Sequence, residues 1–282
     1  MLIKNFSPQP ALHEYVRYYQ LVHLVFSGTA LIPFKAFAPR PENCLCFFPA
    51  NAESLEYKGS EQKYKLSRSA IMGQQLAVTN RHIGREFLAI RVIFQPGALF
   101  RLTRISAHEL TNTHLDAETI FGNEIHQVND RLSGTRTYCE LFEIIETFLL
   151  QRVRQVKKEK HAVDHAGFLI LRNSGQHAMD DLANEICLSP RQFMRKFNER
   201  MGVSPNVFSR VARFDKSLEM KNNNLSKSWL EVALDCGYYD YQHLVRDYKD
   251  FTGLSPTAFL VDDHRSPENE LLLVEKNHLS ED

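Results

Sequence analysis

The stretch MDDLANEICLSPRQFMRKFNERMGVSP, residues 179–205, reads as two short helices joined by a tight turn. Leu182, Ala183 and Ile186 repeat at helical spacing over 179–186, and Phe193, Phe197 and Met201 form one stripe over 190–201. The two apolar stripes can face each other across the turn. Ser189 before Pro190 is an N-cap followed by a proline at N1, where a missing N–H costs nothing. Gly202 is placed to end the helix in a left-handed conformation. The pattern predicts a helix-turn-helix unit.

An echo follows about fifty residues later in SWLEVALDCGYYDYQHLVRDYKDFTGLSP, residues 228–256. Met179 corresponds to Trp229, Leu182 to Val232, Ala183 to Ala233 and Cys187 to Gly237. After the turn Arg195 corresponds to Arg246, Phe197 to Tyr248, and GVSP at Gly202 to GLSP at Gly253. The offset is 50 before the turn and 51 after it, a repeat with a single loop insertion. Between the copies, residues 206–222 carry Val207, Val211, Phe214 and Leu218 at four-three-four spacing, which predicts a connecting helix of roughly 25 Å. Ser228 with Glu231 makes a capping box for the next helix.

On these residues the pair resembles the tandem helix-turn-helix domain of AraC/XylS-type bacterial transcription regulators, and the GLSP exit, Arg246 and the glycine-aromatic turn are its most specific part. The resemblance covers residues 163–261, roughly a third of the chain. It implies that the second helix of each unit presents its outward residues to base edges in the major groove. With Phe193 and Phe197 inward, Arg191, Gln192, Met194, Arg195 and Lys196 are available; with Leu244 and Tyr248 inward, Tyr241, Gln242, His243, Val245 and Arg246 are. Arginine pairs bidentately with guanine, glutamine with adenine, and Met or Val meets a thymine methyl. Arg191, Met194, Arg195, Gln242, Val245 and Arg246 match base-contacting positions of the family. Two departures are visible. Cys187 stands where the motif usually has a left-handed glycine, and Ala178 where the second copy has the cap Ser228, each costing on the order of 1 kcal/mol.

With 282 residues and 43% hydrophobic content, the chain accommodates two domains with soluble cores. The expected fold is two-domain α+β: an N-terminal β-rich, sandwich- or barrel-like domain with flanking helices, and a C-terminal all-α domain of two helix-turn-helix units joined by a long helix. The boundaries are residues 1–156 for the first (β-rich to about 107, helices over 108–156), a linker at 157–162, the DNA-binding domain at 163–265 and a polar tail at 266–282. Candidate strands are 18–26, 44–48, 69–72 and 87–94, with a short helix in ALHEYVRYY near Pro10. FLAIRVIF places Leu88, Ile90, Val92 and Phe94 on one face and Arg91 on the other. The string FQPGALFRLTRISAHELTNTHLDAETIFG, residues 94–122, resembles the end of the sensor domain that precedes AraC-type DNA-binding domains. Helices are expected at 98–105, 126–132 and 137–156, the last with an apolar stripe that either packs on the β domain or forms a homodimer contact.

Lys plus Arg and Asp plus Glu both number 34, so net charge does not advertise nucleic acid and any electrostatic footprint comes from arrangement. Arg191, Arg195, Lys196 and Arg200 cluster on the first recognition helix, whereas Arg246 and Lys249 share the second with Asp240, Asp247 and Asp250. Five scattered cysteines, two of them in CLCFF, read as buried structural thiols. No phosphate loop, nucleophile elbow or HExxH occurs. His108, His114, Asp116 and His126 fit no metal spacing and read as surface or capping groups, and no cofactor is implied. Arg81, His82 and Arg91 lie near candidate strands without defining a pocket. The leading reading is a cytoplasmic, non-enzymatic, sequence-specific DNA-binding regulator controlled by a small-molecule effector, with double-stranded operator DNA and RNA polymerase as partners and no membrane association. The alternative is a small-molecule-binding or interaction protein whose helix pair has lost strong DNA binding.

Overall fold

The computed structural model describes residues 1–27, 31–57, 62–156, 161–175, 182, 187–269 and 271. Among the described residues ten strands form two facing sheets. The larger has the order β1 (Leu2–Phe6), β2 (Val16–Val25), β9 (Glu86–Phe94), β4 (Cys44–Phe47), β7 (Ser69–Met72) and β10 (His114–Asp116); the smaller runs β3 (Lys35–Phe37), β8 (Thr79–His82), β5 (Ser54–Tyr57), β6 (Lys63–Lys65). All neighbours pair antiparallel.

The central strand β9 is buried on both faces. Ile90, Val92 and Phe94 join an apolar cluster with Ile125, Val128, Leu141, Ile145 and Phe148 of the helices laid over the large sheet. Phe87, Ala89 and Ile93 point between the sheets with Leu24, Phe48 and Leu55, and Arg91 shares that interior face at 5% exposure. The sequence reading anticipated four of the strands. The other six are three to five residues long and mostly carry polar side chains, too short to show a period of two. The helix expected in ALHEYVRYY is a single 3₁₀ turn at Pro10–Leu12; Val16 and Tyr19 belong instead to β2, where β-branched and aromatic residues pair with β9.

Helix Asn123–Ser133 and helix Tyr138–Gln155, the latter capped by Thr137, cover the large sheet. The stripe Leu141, Ile144, Ile145, Phe148 and Leu149 is buried in the chain's own core, the packing on the β domain that was one of its two expected uses. The outward face carries Glu140, Glu143 and Arg154.

The C-terminal helices are Ala162–Arg172, Pro190–Met201, Pro205–Asn223, Trp229–Asp235, Tyr241–Thr252 and Pro256–Asp263. The helix expected at 179–186 lies outside the described residues apart from Leu182, which is helical and 1% exposed. Serine–proline pairs at 189–190, 204–205 and 255–256 start three of these helices, each serine accepting a hydrogen bond from the backbone N–H three residues on. Ser189–Gln192 and Ser228–Glu231 both close as capping boxes. Phe193 and Phe197 pack edge-on with centroids 5.6 Å apart and Phe197 meets Phe208 at 5.5 Å; in the second unit Tyr248 meets Phe214 at 4.7 Å and Trp229 at 5.4 Å. The connecting helix, at 19 residues and about 28 Å, contributes to both cores.

The two halves are joined by more than the linker, of which 157–160 lie outside the described residues. Thr111 Oγ1 donates to the Gly202 carbonyl at 2.6 Å and Asn43 Nδ2 to the Met201 carbonyl at 3.4 Å, so the β domain holds the end of the first recognition helix. Val78 N–H donates to the Phe251 carbonyl at 3.1 Å near the end of the second, and Ala36 and Ala38 enter that unit's core. Arg200, 4% exposed at its side chain, sits bidentate on Asp164 at 2.5 and 2.6 Å and over the Phe100 ring at 4.8 Å.

Candidate nucleic-acid interface

Burial divides each recognition helix into an inner and an outer face. On Pro190–Met201, Arg191, Gln192, Met194 and Arg195 are exposed, Met194 at 41%, while Phe193 and Phe197 are buried. Lys196 is half-buried and reaches Glu199 at 3.4 Å. Gln192 has a second task, since its amide oxygen accepts from Ser189 N–H at 3.3 Å in the capping box. The clustering of Arg200 with the outward cations is corrected: its guanidinium is held inside by Asp164.

On Tyr241–Thr252, Gln242, His243 and Arg246 are exposed and Val245 half-buried. Tyr241 is less available than its position implied, because its ring packs against the core of the second unit. His243 is tied to the N-cap: Asp240 Oδ1 accepts from His243 N–H at 2.9 Å and lies 2.8 Å from Nδ1. These hydrogen bonds hold the Asp240 carboxyl below its ordinary range. Tyr239, 87% exposed in the turn, meets the His243 ring edge-on at 5.9 Å. The spacing rules did not single it out because it precedes the helix.

Charge on the second helix is not what composition implied. Arg210 of the connecting helix donates to Asp247 Oδ1 (Nε at 2.9 Å) and to Asp250 Oδ2 (Nη2 at 2.5 Å). Asp247 is 5% exposed and Asp240 caps the helix, so all three acids are engaged within the fold, leaving Arg246 and Lys249 exposed. Arg210, on another helix, carries no motif signal. The turns also differ: Cys187 adopts φ 53° and its counterpart Gly237 φ 76°, both left-handed, so the cysteine takes the strained conformation the repeat demands.

Residues 182–261 match the family model described as Helix-turn-helix domain. This is an AraC/XylS-type helix-turn-helix domain. Residues 4–116 match a second model, described only as Domain of unknown function (DUF6597), which runs from within β1 to the end of β10. The HTH-type transcriptional regulator ArgR of Pseudomonas aeruginosa is 29% identical over 77 residues, 27% of this chain and 23% of that one, so the match spans under a quarter of that relative. Among solved structures, ToxT from Vibrio cholerae aligns with TM-score 0.48 at 12% identity, covering 86% of this chain and 98% of that one. The AraC-like transcriptional activator CuxR aligns with TM-score 0.25 at 17% identity over 68% and 70%.

Beside the AraC/XylS-type domain, the β domain encloses a cavity of about 270 Å³ between its sheets, lined by Val22, Leu24, Phe48 and Phe87 and by the cations Lys35 and Arg81. Three guanidiniums surround the Phe37 ring, Arg81 at 3.6 Å from its centroid, Arg91 at 4.9 Å and Arg40 at 5.2 Å. Arg81 pairs with Glu53 at 3.1 Å and Arg91 with Glu42 at 2.5 Å, each partner under a tenth exposed. Burial alone would raise the Glu42 carboxyl, but the Arg91 and Arg40 charges outweigh it and hold it below the usual range. Arg81 and Arg91, unassigned by sequence reasoning, are brought together only by strand pairing; His82 sits outside this lining, 3.1 Å from Glu56.

The histidines of 108–126 separate into individual tasks. His114 bonds Tyr57 at 2.7 Å, His126 lies on Glu118 and Arg68, and Asp116 caps the helix Ala117–Phe121. Among the described residues no group of three or more His, Cys, Asp or Glu could hold a metal ion, and no helix is long and apolar enough to cross a membrane.

Proposed function

We propose that this protein is a sequence-specific DNA-binding transcription regulator that reads two adjacent major-groove segments through its two recognition helices. The observation that carries the reading is the pair of outward faces, Arg191, Gln192, Met194 and Arg195 on one helix and Gln242, Val245 and Arg246 on the other. Their residue types suit base edges. The neutral total charge, which favoured a protein unable to grip DNA, does not exclude a local cationic face: Arg210 takes up Asp247 and Asp250, Asp240 serves as the helix cap, and Arg246 and Lys249 stay exposed. RNA polymerase is the partner such a regulator would address at a promoter. The cavity in the β domain, apolar with buried cations, is of the size and character of a small-molecule site and supports effector control.

The test is a binding titration on the DNA upstream of the protein's own gene. Arg195→Ala and Arg246→Ala should each weaken specific binding roughly tenfold or more, with affinity falling steeply as salt is raised. Unchanged affinity in both variants would refute the assigned readout. No binding to any genomic fragment at low salt would favour the interaction-protein alternative.

A further inference from the structure

The chain beyond the last helix, expected to be a polar tail, turns back into the β domain. After Pro256–Asp263 the chain turns at 264–266, with Ser266 N–H on the Asp263 carbonyl at 3.3 Å, and is helical again at 267–269, with Asn269 N–H on the Ser266 carbonyl at 3.0 Å. Asn269 Nδ2 donates to Ser266 Oγ at 3.1 Å and to the Asp263 carbonyl at 3.4 Å. Ser266 is 2% exposed, and Pro267 and Glu268 form part of the cavity wall. The Glu268 carboxylate pairs with Lys35 Nζ, and Leu271, 9% exposed, belongs to the apolar cluster of Leu24, Phe48 and Phe87.

We infer that residues 266–269 and Leu271 act as an internal occupant of the β-domain cavity, Glu268 and Leu271 holding the places of the anionic head and apolar body of an effector that displaces them.

Charge supports this occupant. Of the cations around Phe37, Arg81 and Arg91 have buried partners of their own in Glu53 and Glu42. Lys35 is paired with Glu268, and Arg40 is 3.8 Å from Asp215. Burial, opposed by Asp263 and reinforced by Arg40, Arg81 and Arg91, pulls the Lys35 ammonium down to about 8, and withdrawal of Glu268 leaves this half-buried ammonium without its ion-pair partner at the cavity wall. Val22, Leu24, Phe48, Ile83, Phe87 and Ala89 make one side of the cavity apolar, and Arg81 and Arg91 already hold Glu53 and Glu42, so a single negative head on an aromatic or aliphatic body suits it better than a polyanion. A second cavity of about 640 Å³, between the β domain and the C-terminal helices, shares Gln20, Lys35, Phe37, Arg40 and Glu268 with the first. The Lys35–Glu268 pair is thus part of the wall common to both cavities. Because the segment leaves directly from the last helix of the AraC/XylS-type domain, occupancy is linked to that domain.

The inference rests on reading the β domain as an effector site, and two matched fluorescent probes test it: 8-anilinonaphthalene-1-sulfonate, an apolar body with one anionic head, and neutral N-phenyl-1-naphthylamine. Each is titrated into the full chain and into Glu268→Gln, Leu271→Ala and Glu268→Gln/Lys35→Met variants. Both single variants should bind the anionic probe about tenfold more tightly than the parent, since the competitor is weakened. The double variant should lose that gain for the anionic probe and keep its affinity for the neutral one. If Leu271→Ala does not fold, Glu268→Gln decides, since it retains the apolar contact. Equal anionic-probe affinity in Glu268→Gln and parent, or equal loss of both probes in the double variant, overturns the inference. DNA binding measured on the same proteins separates the readings: probe effects without DNA binding refute only the regulator, and DNA binding without probe effects refutes only the occupant.

Discussion

Gly202 has φ 95°, and a Cβ added there would stand 2.9 Å from the Ala107 carbonyl oxygen and 3.1 Å from Thr111 Oγ1. The position demands glycine twice, for a left-handed backbone and for contact with the β domain. Gly202→Ala is expected to cost about 2 kcal/mol or more, measured by chemical denaturation. Cys187, also left-handed, differs: a glycine there would relieve about 1 kcal/mol of backbone strain but enlarge the unfolded ensemble by a similar amount. Cys187→Gly should therefore change stability by less than about 1 kcal/mol. For DNA, Arg195 and Arg246 are candidates for bidentate guanine contacts worth about 1–3 kcal/mol of discrimination each, whereas Lys196, half-buried and paired with Glu199, suits a phosphate. Lys196→Ala should weaken binding to all sequences alike and lower the salt slope by about 1, read from affinities at several salt concentrations.

At the scale of elements, each recognition helix is held from behind by groups outside its own motif. Asp164 of the helix Ala162–Arg172 anchors Arg200, and Arg210 of the connecting helix anchors Asp247 and Asp250. The first pair is nearly dry, with side-chain exposures of 4% for Arg200 and 13% for Asp164. Asp164→Ala would strand a buried guanidinium, and a loss of about 3–5 kcal/mol is expected in urea unfolding. Replacing both partners by apolar residues, Asp164→Leu with Arg200→Met, should recover most of that loss; a double variant no more stable than the single one would show that the pair also positions the helix.

Across the whole molecule, the connecting helix faces the β domain through Asp215. Its carboxyl is pushed up to about 6 by burial against the opposing pull of Arg40 and Arg17, with Glu42 and Glu219 adding to the rise. Between about pH 4 and pH 6 the folded state therefore holds a proton that the unfolded chain has released, so stability falls as pH rises through that window and this contribution levels off above it. Asp215→Asn should flatten the dependence over pH 4–6 and raise stability at pH 7, read by thermal unfolding at several pH values. Both recognition helices end against the β domain, at Gly202 through Thr111 and at Phe251 through Val78, so a change in that domain reaches both without passing through the linker.

By itself the sequence determined the helix-turn-helix pair, because its information is local: the Ser–Pro starts, the glycine exits and the Phe193, Phe197, Leu244 and Tyr248 stripes each specify backbone and facing within a few residues. The outward positions of Arg191, Arg195, Gln242 and Arg246 follow from the same periodicity. Long strands such as Glu86–Phe94 were legible for the same reason, whereas Thr79–His82 and Lys35–Phe37 were too short to carry a period. The tertiary structure alone decided which cations meet. Arg81 and Arg91 face one cavity because β8 and β9 lie in opposing sheets, Arg200 turns inward because Asp164 is there to receive it, and Glu268 reaches Lys35 across 233 residues of chain. Such pairings depend on strand register and domain docking, free-energy terms summed over the whole fold, and no spacing along the chain encodes them.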